Sequence, residues 1–257
     1  MKKIVAILLV LTVMLTLAAC EKAEPKTALA YEIYNEATGA MSDIGSLAAN
    51  TSVTMSMVVE GEEMVVEMSG LVKAVYISET EVEMQMDMAT TIMGEDMEIK
   101  YFYKDGIYYM DAAGQKIAME MPLEQMLEQA NTEALAFPDT AVKNQQVTEK
   151  NGGQELSFTL DGEALIDAVA GQLGSLSSML GGETNFSMGD IEYVVFVDGQ
   201  DTLKNTWMSF SMELSVMEDT IPISAEVSMD YLQINNVSID FPTDLDSYEL
   251  IDMGTLL

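Results

Sequence analysis

The chain has 257 residues, 43 of them acidic and 11 basic, and its formal net charge at pH 7 is −32. A charge of this sign and size repels nucleic acid and anionic lipid headgroups, so it argues against a nucleic-acid partner. Histidine is absent and cysteine occurs once, which removes the commonest general base and any intramolecular disulfide.

The N-terminal segment has the pattern of a secretory signal. Two lysines precede an apolar run from Ile4 to Leu17, which is shorter than the ~20 residues that a membrane-spanning helix needs. The run ends in Leu-Ala-Ala-Cys20, which resembles the lipobox of bacterial lipoproteins, whose cysteine receives a diacylglyceryl group. We therefore predict a signal peptide over 1–19, a tether over 20–28 and a lipid anchor at Cys20 that holds the protein on the extracytoplasmic face of the cell membrane.

The first half of the remaining chain predicts one helix followed by a series of strands. Apolar residues recur at helical intervals over 29–49, and from Val53 the period changes to two. The pair Asp105-Gly106 lies between two apolar runs and predicts a two-residue hairpin. Gly70 is expected to interrupt its strand as a bulge or bend.

The second half mixes helices and strands. Helical spacing predicts helices over 123–136 and 161–180, and residues 183–189 are expected to form a flexible linker. Strands are predicted over 142–150, 154–160, 191–197, 203–217 and 221–232. This order predicts an α+β fold in which helices cover the apolar, concave side of a large, curved antiparallel sheet. Residues 29–257 are expected to form a single domain.

Methionine is unusually frequent, with 23 residues, and many lie on the apolar sides of the predicted strands. Its flexible, polarizable side chain suits surfaces that fit varied apolar partners, although it is a weaker strand former than valine or isoleucine. The candidate ligand-binding residues are Met55, Met57, Met84, Met86, Met88, Met97, Met208, Met212 and Met229. The same pattern also fits residues packed beneath covering helices, so a cavity for an acyl chain and a solid core both remain open.

Metal binding and catalysis find little support in the sequence. Met84, Met86 and Met88 have the spacing of copper-handling segments, but any strand produces this alternation and no histidine accompanies it. The segment Asp198-Gly-Gln-Asp201 lacks the graded ligand spacing of a calcium loop. The sequence contains no Gly-x-Ser-x-Gly elbow, Walker loop or dinucleotide fingerprint. We therefore predict a non-enzymatic protein with no catalytic residue, no bound metal and no cofactor.

The chain resembles exported lipoproteins of the LolA/LppX-like superfamily. The features that carry this resemblance are the lipobox, the N-terminal helix, the long antiparallel strands, the inserted helix and the aromatic hairpin Tyr101–Tyr109. This superfamily includes a poorly characterised branch common in Gram-positive bacteria. The resemblance covers roughly residues 29–250. It implies a half-open β-barrel around a lid of helices, with an apolar cavity for a lipid or acyl chain, and hence a carrier or chaperone-like role. No ligand residue is carried over, because no ligand motif matches position by position.

A different class of function also fits the sequence. The strongly acidic exterior is compatible with a cell-surface interaction or sensor domain that binds a protein partner and has no ligand cavity. In that case the apolar sides of the strands would only pack against the helices. The methionines therefore separate the two hypotheses, since they line a hollow in the first and fill a core in the second.

Overall fold

The computed structural model describes residues 29–41, 43–59, 61–78, 81–92, 94–123, 139–166, 184–216 and 219–251. The described elements are α1 (Ala30–Ala40), β1 (Ser46–Val59), β2 (Glu62–Ser78), β3 (Glu81–Ile92), β4 (Glu95–Lys104), β5 (Ile107–Ala112), β6 (Gln115–Glu120), β7 (Val142–Lys150), β8 (Gly153–Leu160), β9 (Thr184–Met188), β10 (Ile191–Asp198), β11 (Leu203–Val216), β12 (Asp219–Ile234) and β13 (Glu249–Leu250), with short 3-10 turns at Asp139–Ala141 and Leu245–Ser247.

Within the described residues the strands form one large, open and predominantly antiparallel sheet. Its order is β13-β6-β5-β4-β3-β2-β1-β12-β11-β10-β8-β7, and β9 pairs with β11 beside this path. The short β13 runs parallel to β6. The predicted large antiparallel sheet is confirmed. Two helices were predicted in the second half, over 123–136 and 161–180. Residues 162–166 of the second are helical, while 124–138 and 167–183 lie outside the described residues. Covering of the sheet by helices therefore remains a prediction.

The described residues group into two compact units. The first contains α1, residues 53–65 and the described residues between 139 and 228. Its helix packs on β7, β8 and β10 through an aromatic cluster, in which the ring of Tyr34 lies 5.6 Å from Phe158 and 5.9 Å from Tyr193. Aromatic pairs at this separation add about 0.5–1.5 kcal/mol beyond the area that they bury. This cluster holds the helix on the sheet.

The helix predicted over 29–49 is too long, because α1 ends at Ala40 and β1 begins at Ser46. Small residues in this segment fit a helical and a strand period alike. Tertiary hydrogen bonds decide between them: the N–H of Asn235 donates to the Ser46 carbonyl at 2.8 Å, and the N–H of Val237 donates to the Ser46 hydroxyl at 3.0 Å. Local propensity yields here to pairing with a distant segment.

The flexible linker predicted over 183–189 is also wrong, because most of it forms β9. Met188 lies opposite Met212, and Phe186 lies opposite Leu214, in an antiparallel pair with β11. Only two apolar residues alternate in so short a strand, too few to reveal a period of two in the sequence. The buried partners on β11 supply the packing that stabilises it.

The second unit contains residues 43–52, the described residues of 66–123 and residues 229–251. Strands β2 to β6 lie side by side in it as an antiparallel meander. The predicted Asp105-Gly106 hairpin is confirmed, since both residues have positive φ angles of 53° and 76°, as a type I′ turn requires. The turn places Lys104 opposite Ile107, and this sets the register of β4 on β5.

Gly70 does not interrupt β2 as expected. It pairs directly with Met88, and the register shift of these strands lies between Tyr76 and Ser78 instead. A Cβ atom at position 70 would lie 2.1 Å from the carbonyl oxygen of Asp87 and 2.6 Å from the sulfur of Met88. The glycine therefore allows β3 and its methionine to approach closely, which is the other usual reason for a glycine inside a strand.

The substitution Gly70→Ala should lower the free energy of unfolding by about 1–3 kcal/mol, because the added methyl group meets a backbone atom that cannot turn aside. Gly45→Ala is the matched control, since the nearest atom to its new methyl would be Oδ1 of Asn235 at an ordinary 3.5 Å. We expect the control to change stability by no more than about 0.5 kcal/mol. Urea unfolding followed by circular dichroism measures both, and equal losses would contradict the close approach.

Candidate functional site

One side of the β2–β6 meander is lined by methionine, tyrosine and aliphatic side chains. Paired residues on neighbouring strands share a side of the sheet. The register places Met86 opposite both Val72 and Tyr101, and Tyr101 in turn opposite Met110. On this side, twelve residues form what we call the methionine face: Met68, Val72, Met84, Met86, Met88, Met97, Ile99, Tyr101, Tyr108, Met110, Ile117 and Met119. The register also places Tyr103, opposite Met84, and Glu95, opposite Ile92, on the same side.

The methionine face is only partly covered. Met68 and Met88 are buried, with 7% and 6% of their surface exposed, whereas Met84, Met86 and Met97 are half-buried. The described α-helix α1 packs on strands of the first unit. An extended apolar surface that remains partly open is typical of a site for an apolar ligand or for a covering segment.

The two tyrosines of the methionine face lie against each other, with ring centroids 5.6 Å apart. Burial raises the pKa of both hydroxyls, and the neighbouring Tyr101 raises the pKa of Tyr108 further. Both side chains are therefore neutral at physiological pH. Since the other members of the face are methionine, valine and isoleucine, the face can bury apolar groups.

The opposite side of the same meander is charged. Asp87, Lys100, Asp111 and Lys116 follow one another across β3, β4, β5 and β6 as directly paired residues of alternating sign. Opposite charges on directly paired residues stabilise a sheet, whereas like charges would destabilise it. Within the row, Lys116 and Asp111 form an ion pair at 3.9 Å, which uses no residue of the methionine face.

Residues 240–250, which we call the C-terminal strap, cover part of this charged side. The ring of Tyr248 lies edge-on to Tyr109, with centroids 5.4 Å apart, and Lys116 forms an ion pair with Asp244. The hydrogen bond from Lys116 lowers the pKa of the Asp244 carboxyl and raises the pKa of Lys116 itself. The strap is thus attached by a charged contact and by ring packing.

Four of the nine methionines predicted as ligand-binding residues come together on the methionine face. Met84, Met86 and Met88 alternate along β3, and Met97 lies on β4 opposite Thr90, the next position on the same side. The period of two in the sequence grouped these residues correctly. Their contact with a ligand stays a prediction.

The other five predicted methionines lie elsewhere in the two units. Met208 lies on β11 opposite Tyr193, on the side of the first unit where α1 packs, and Met212 follows on the same side. Met55 and Met57 on β1 are 0% and 5% exposed, and Met229 on β12 is 8% exposed. Burial of this degree fits core packing, and a ligand role for these five stays a prediction.

Several members of the methionine face were not predicted as ligand-binding residues, among them Met110 and Met119. A signal for them was present, because the two-residue turn at Asp105-Gly106 determines which residues of β4 and β5 lie opposite each other. Counting outward from the turn places Tyr101 opposite Met110. The register of a tight hairpin therefore locates residues that a strand-by-strand analysis leaves apart.

Several predictions concern residues outside the described ranges, and others concern features that the described residues lack. The signal peptide over 1–19, the tether over 20–28 and the lipid attachment site Cys20 all precede the first described residue. Of the helices in the described segments, none is long and apolar enough to cross a membrane. The described residues also contain no group of three or more acidic, histidine or cysteine side chains that could hold a metal ion.

Tyr108 should resist ionisation in the folded protein. Its pKa is raised by burial above the ordinary value of 10.0, so folding favours the neutral hydroxyl. This contribution to stability is complete below pH 10 and is lost as the pH rises beyond it. Burial also raises the pKa of Tyr76, Tyr101, Tyr103, Tyr109 and Tyr248, so absorbance titration at 295 nm should show several late-ionising groups in the folded protein. Tyr108→Phe should show one fewer, and the urea-unfolded chain should show none. Simultaneous ionisation of all ten tyrosines in the folded protein would contradict this result.

Comparison with known proteins gives one family and several solved structures to which the chain is similar at low sequence identity. LppX from Mycobacterium tuberculosis is 10% identical with a TM-score of 0.46, over 82% of this chain and 98% of its own. LprF from Mycobacterium bovis is 14% identical with a TM-score of 0.44, over 83% and 96%. A putative lipoprotein-sorting domain from Vibrio parahaemolyticus is 9% identical with a TM-score of 0.24, over 84% and 95%. No curated protein matches the sequence. Residues 29–247 match the model of a family of unknown function, DUF6612, and the chain belongs to that family.

Proposed function

We propose that this protein is a non-enzymatic, extracytoplasmic binding protein that holds a lipid or another apolar ligand on the methionine face. A lipid anchor at Cys20 would attach it to the membrane and keep it close to a supply of such ligands. The observation that carries the proposal is the row of half-buried methionines formed by Met84, Met86 and Met97, which the register gathers on one side of the meander, with Glu95 at its end.

The size of the methionine face suits an acyl chain. Neighbouring strands lie about 4.8 Å apart, so the five strands β2 to β6 span roughly 19 Å, close to the length of an extended sixteen-carbon chain. Burying such a chain could contribute up to ~12 kcal/mol at ~0.8 kcal/mol per methylene, before the costs of association and ordering. Unbranched thioether side chains can adjust to the position of such a ligand without a fixed pocket shape.

Charge restricts how the ligand would bind. The methionine face contains no side chain that is charged at neutral pH, and a charged headgroup buried against it would pay a large desolvation cost. The headgroup would therefore stay at an edge, in water. Since the whole chain is strongly acidic, the exterior favours a neutral or cationic headgroup over an anionic one. A fatty-acid probe is therefore titrated at high salt, which screens the repulsion of its carboxylate.

The double variant Met84→Gln/Met86→Gln should bind a fluorescent fatty acid at least about tenfold more weakly than the parent chain. Glutamine is similar in length to methionine, but its amide must lose water to contact an acyl chain. The double variant Met84→Leu/Met86→Leu keeps the face apolar and should retain affinity within about threefold. Fluorescence titration of the full chain gives these affinities, and native mass spectrometry shows whether lipid co-purifies.

Met41→Gln serves as the matched control, because this half-buried methionine follows α1 in the first unit and its replacement should leave the affinity unchanged. Thermal unfolding of each variant separates loss of binding from loss of fold. The proposal is overturned if the parent chain neither retains lipid nor takes up the fatty acid. It is equally overturned if the folded glutamine variant binds as well as the parent.

A further inference from the structure

A recess of about 350 Å³ lies on the charged side of the meander, between the sheet and the C-terminal strap. It therefore faces away from the methionine face and has no part in the function proposed above. Its lining includes Gln85, Lys100, Phe102, Asp240, Phe241 and Tyr248. This volume lies within the range of small-molecule sites, and most of the lining residues are polar or charged.

Gln85 brings an unused hydrogen-bond acceptor to the recess. Its Nε2 donates to a carboxylate oxygen of Asp87 at 2.7 Å, and this contact fixes the orientation of the amide, since the reverse would place two oxygens together. Its Oε1 is then buried and accepts no hydrogen bond from any described residue. Gln85 lines the recess, and a hydroxyl donor bound there would give this oxygen the hydrogen bond that it lacks.

Lys100 brings an unused donor to the same recess. Its ammonium forms no ion pair with a described residue, although it lies between Asp87 and Asp111 in the strand register. Lys100 and Lys116 nearly balance Asp87, Asp111 and Asp240 in the lining, so the recess favours neither a strong anion nor a strong cation. A ligand hydroxyl suits both unused groups, because it donates one hydrogen bond and accepts others.

Aromatic rings form the apolar part of the lining. Phe241 of the strap lies 6.1 Å from Phe102 of the sheet, and Tyr248 is 7% exposed. The ammonium of Lys104 lies 4.7 Å above the ring of Phe241, and this cation–π contact holds the ring in place. Phe102 and Tyr248 are buried, so the half-buried Phe241 is the ring that can pack against the C–H groups of a sugar while amide, ammonium and carboxylate groups bind its hydroxyls.

We propose that this recess binds a neutral carbohydrate of one or two sugar rings. Three features of the recess suit this ligand class: the nearly balanced charge of its lining, an unused hydrogen-bond donor together with an unused acceptor, and aromatic side chains in its wall. The site lies within the second unit alone, so binding there does not require the methionine face to be occupied.

The test uses the purified full chain and a panel of glucose, galactose, mannose, N-acetylglucosamine, maltose and cellobiose. Saturation-transfer NMR detects binding, and isothermal titration calorimetry measures it. We expect at least one sugar to bind, and we expect Lys100→Met and Gln85→Leu each to weaken it by at least about tenfold, a change of about 1.4 kcal/mol. Lys100→Met removes no ion pair with a described residue, so this variant should fold normally.

Gln154→Leu is the matched glutamine control, since Gln154 also donates its Nε2 to a carboxylate, that of Glu149 at 2.8 Å, but lies on β8 in the first unit. Lys150→Met is the matched lysine control on β7. Both controls should bind the sugar within about twofold of the parent chain, a difference of well under 1 kcal/mol. Binding of no sugar at millimolar concentration overturns the proposal, as does unchanged binding by folded Lys100→Met and Gln85→Leu. Fatty-acid binding by these two variants should match the parent, so failure of this proposal is distinguishable from failure of the proposed lipid site.

Discussion

The register of β2 to β6 is the constraint on which the chemistry of the second unit depends. Paired residues share a side of a sheet, and a shift by one residue would move every side chain of a strand to the other side. The tight Asp105-Gly106 turn sets the register of β4 on β5. Gly70 allows Met88 of β3 to approach β2 closely. The same register that groups the methionines also groups Asp87, Lys100, Asp111 and Lys116 on the opposite side.

Because the register separates charged from apolar residues, the charged side of the meander binds the C-terminal strap and the other side carries the methionine face. On the charged side, the strap is attached by the ion pair between Lys116 and Asp244 and by packing of Tyr248. None of these contacts uses a residue of the methionine face, so the strap can be held in place while that face stays available. The meander is in this way stabilised on one side, and the other side keeps an apolar surface of adaptable side chains.

Strands were the most predictable part of the fold, because a half-buried strand imposes a period of two on its own sequence. The structure confirms β7 with the predicted bounds 142–150, and it confirms the Asp105-Gly106 hairpin. Predictions failed where stability comes from a distant partner. Ser46 is held in a strand by the hydrogen bond from Asn235, and β9 is held by pairing with β11. No local sequence pattern predicts either contact. Within the candidate site, β3 was predictable from its own alternation, whereas Met110 and Met119 required the register of the neighbouring strands.

The two sides should also respond differently to the solution around them. The methionine face has no group that titrates between pH 5 and 8, and the chain has no histidine, so ligand binding there depends on apolar burial and dispersion. Salt screens exposed ion pairs but does not weaken apolar burial. The contact between Lys116 and Asp244 is sensitive to salt, and the lowered pKa of Asp244 means that acid weakens it only as the pH falls below the ordinary carboxyl range. High salt would therefore weaken this ion pair but not the ring packing and the β13–β6 pairing that also hold the strap, and it would leave the apolar face competent to bind.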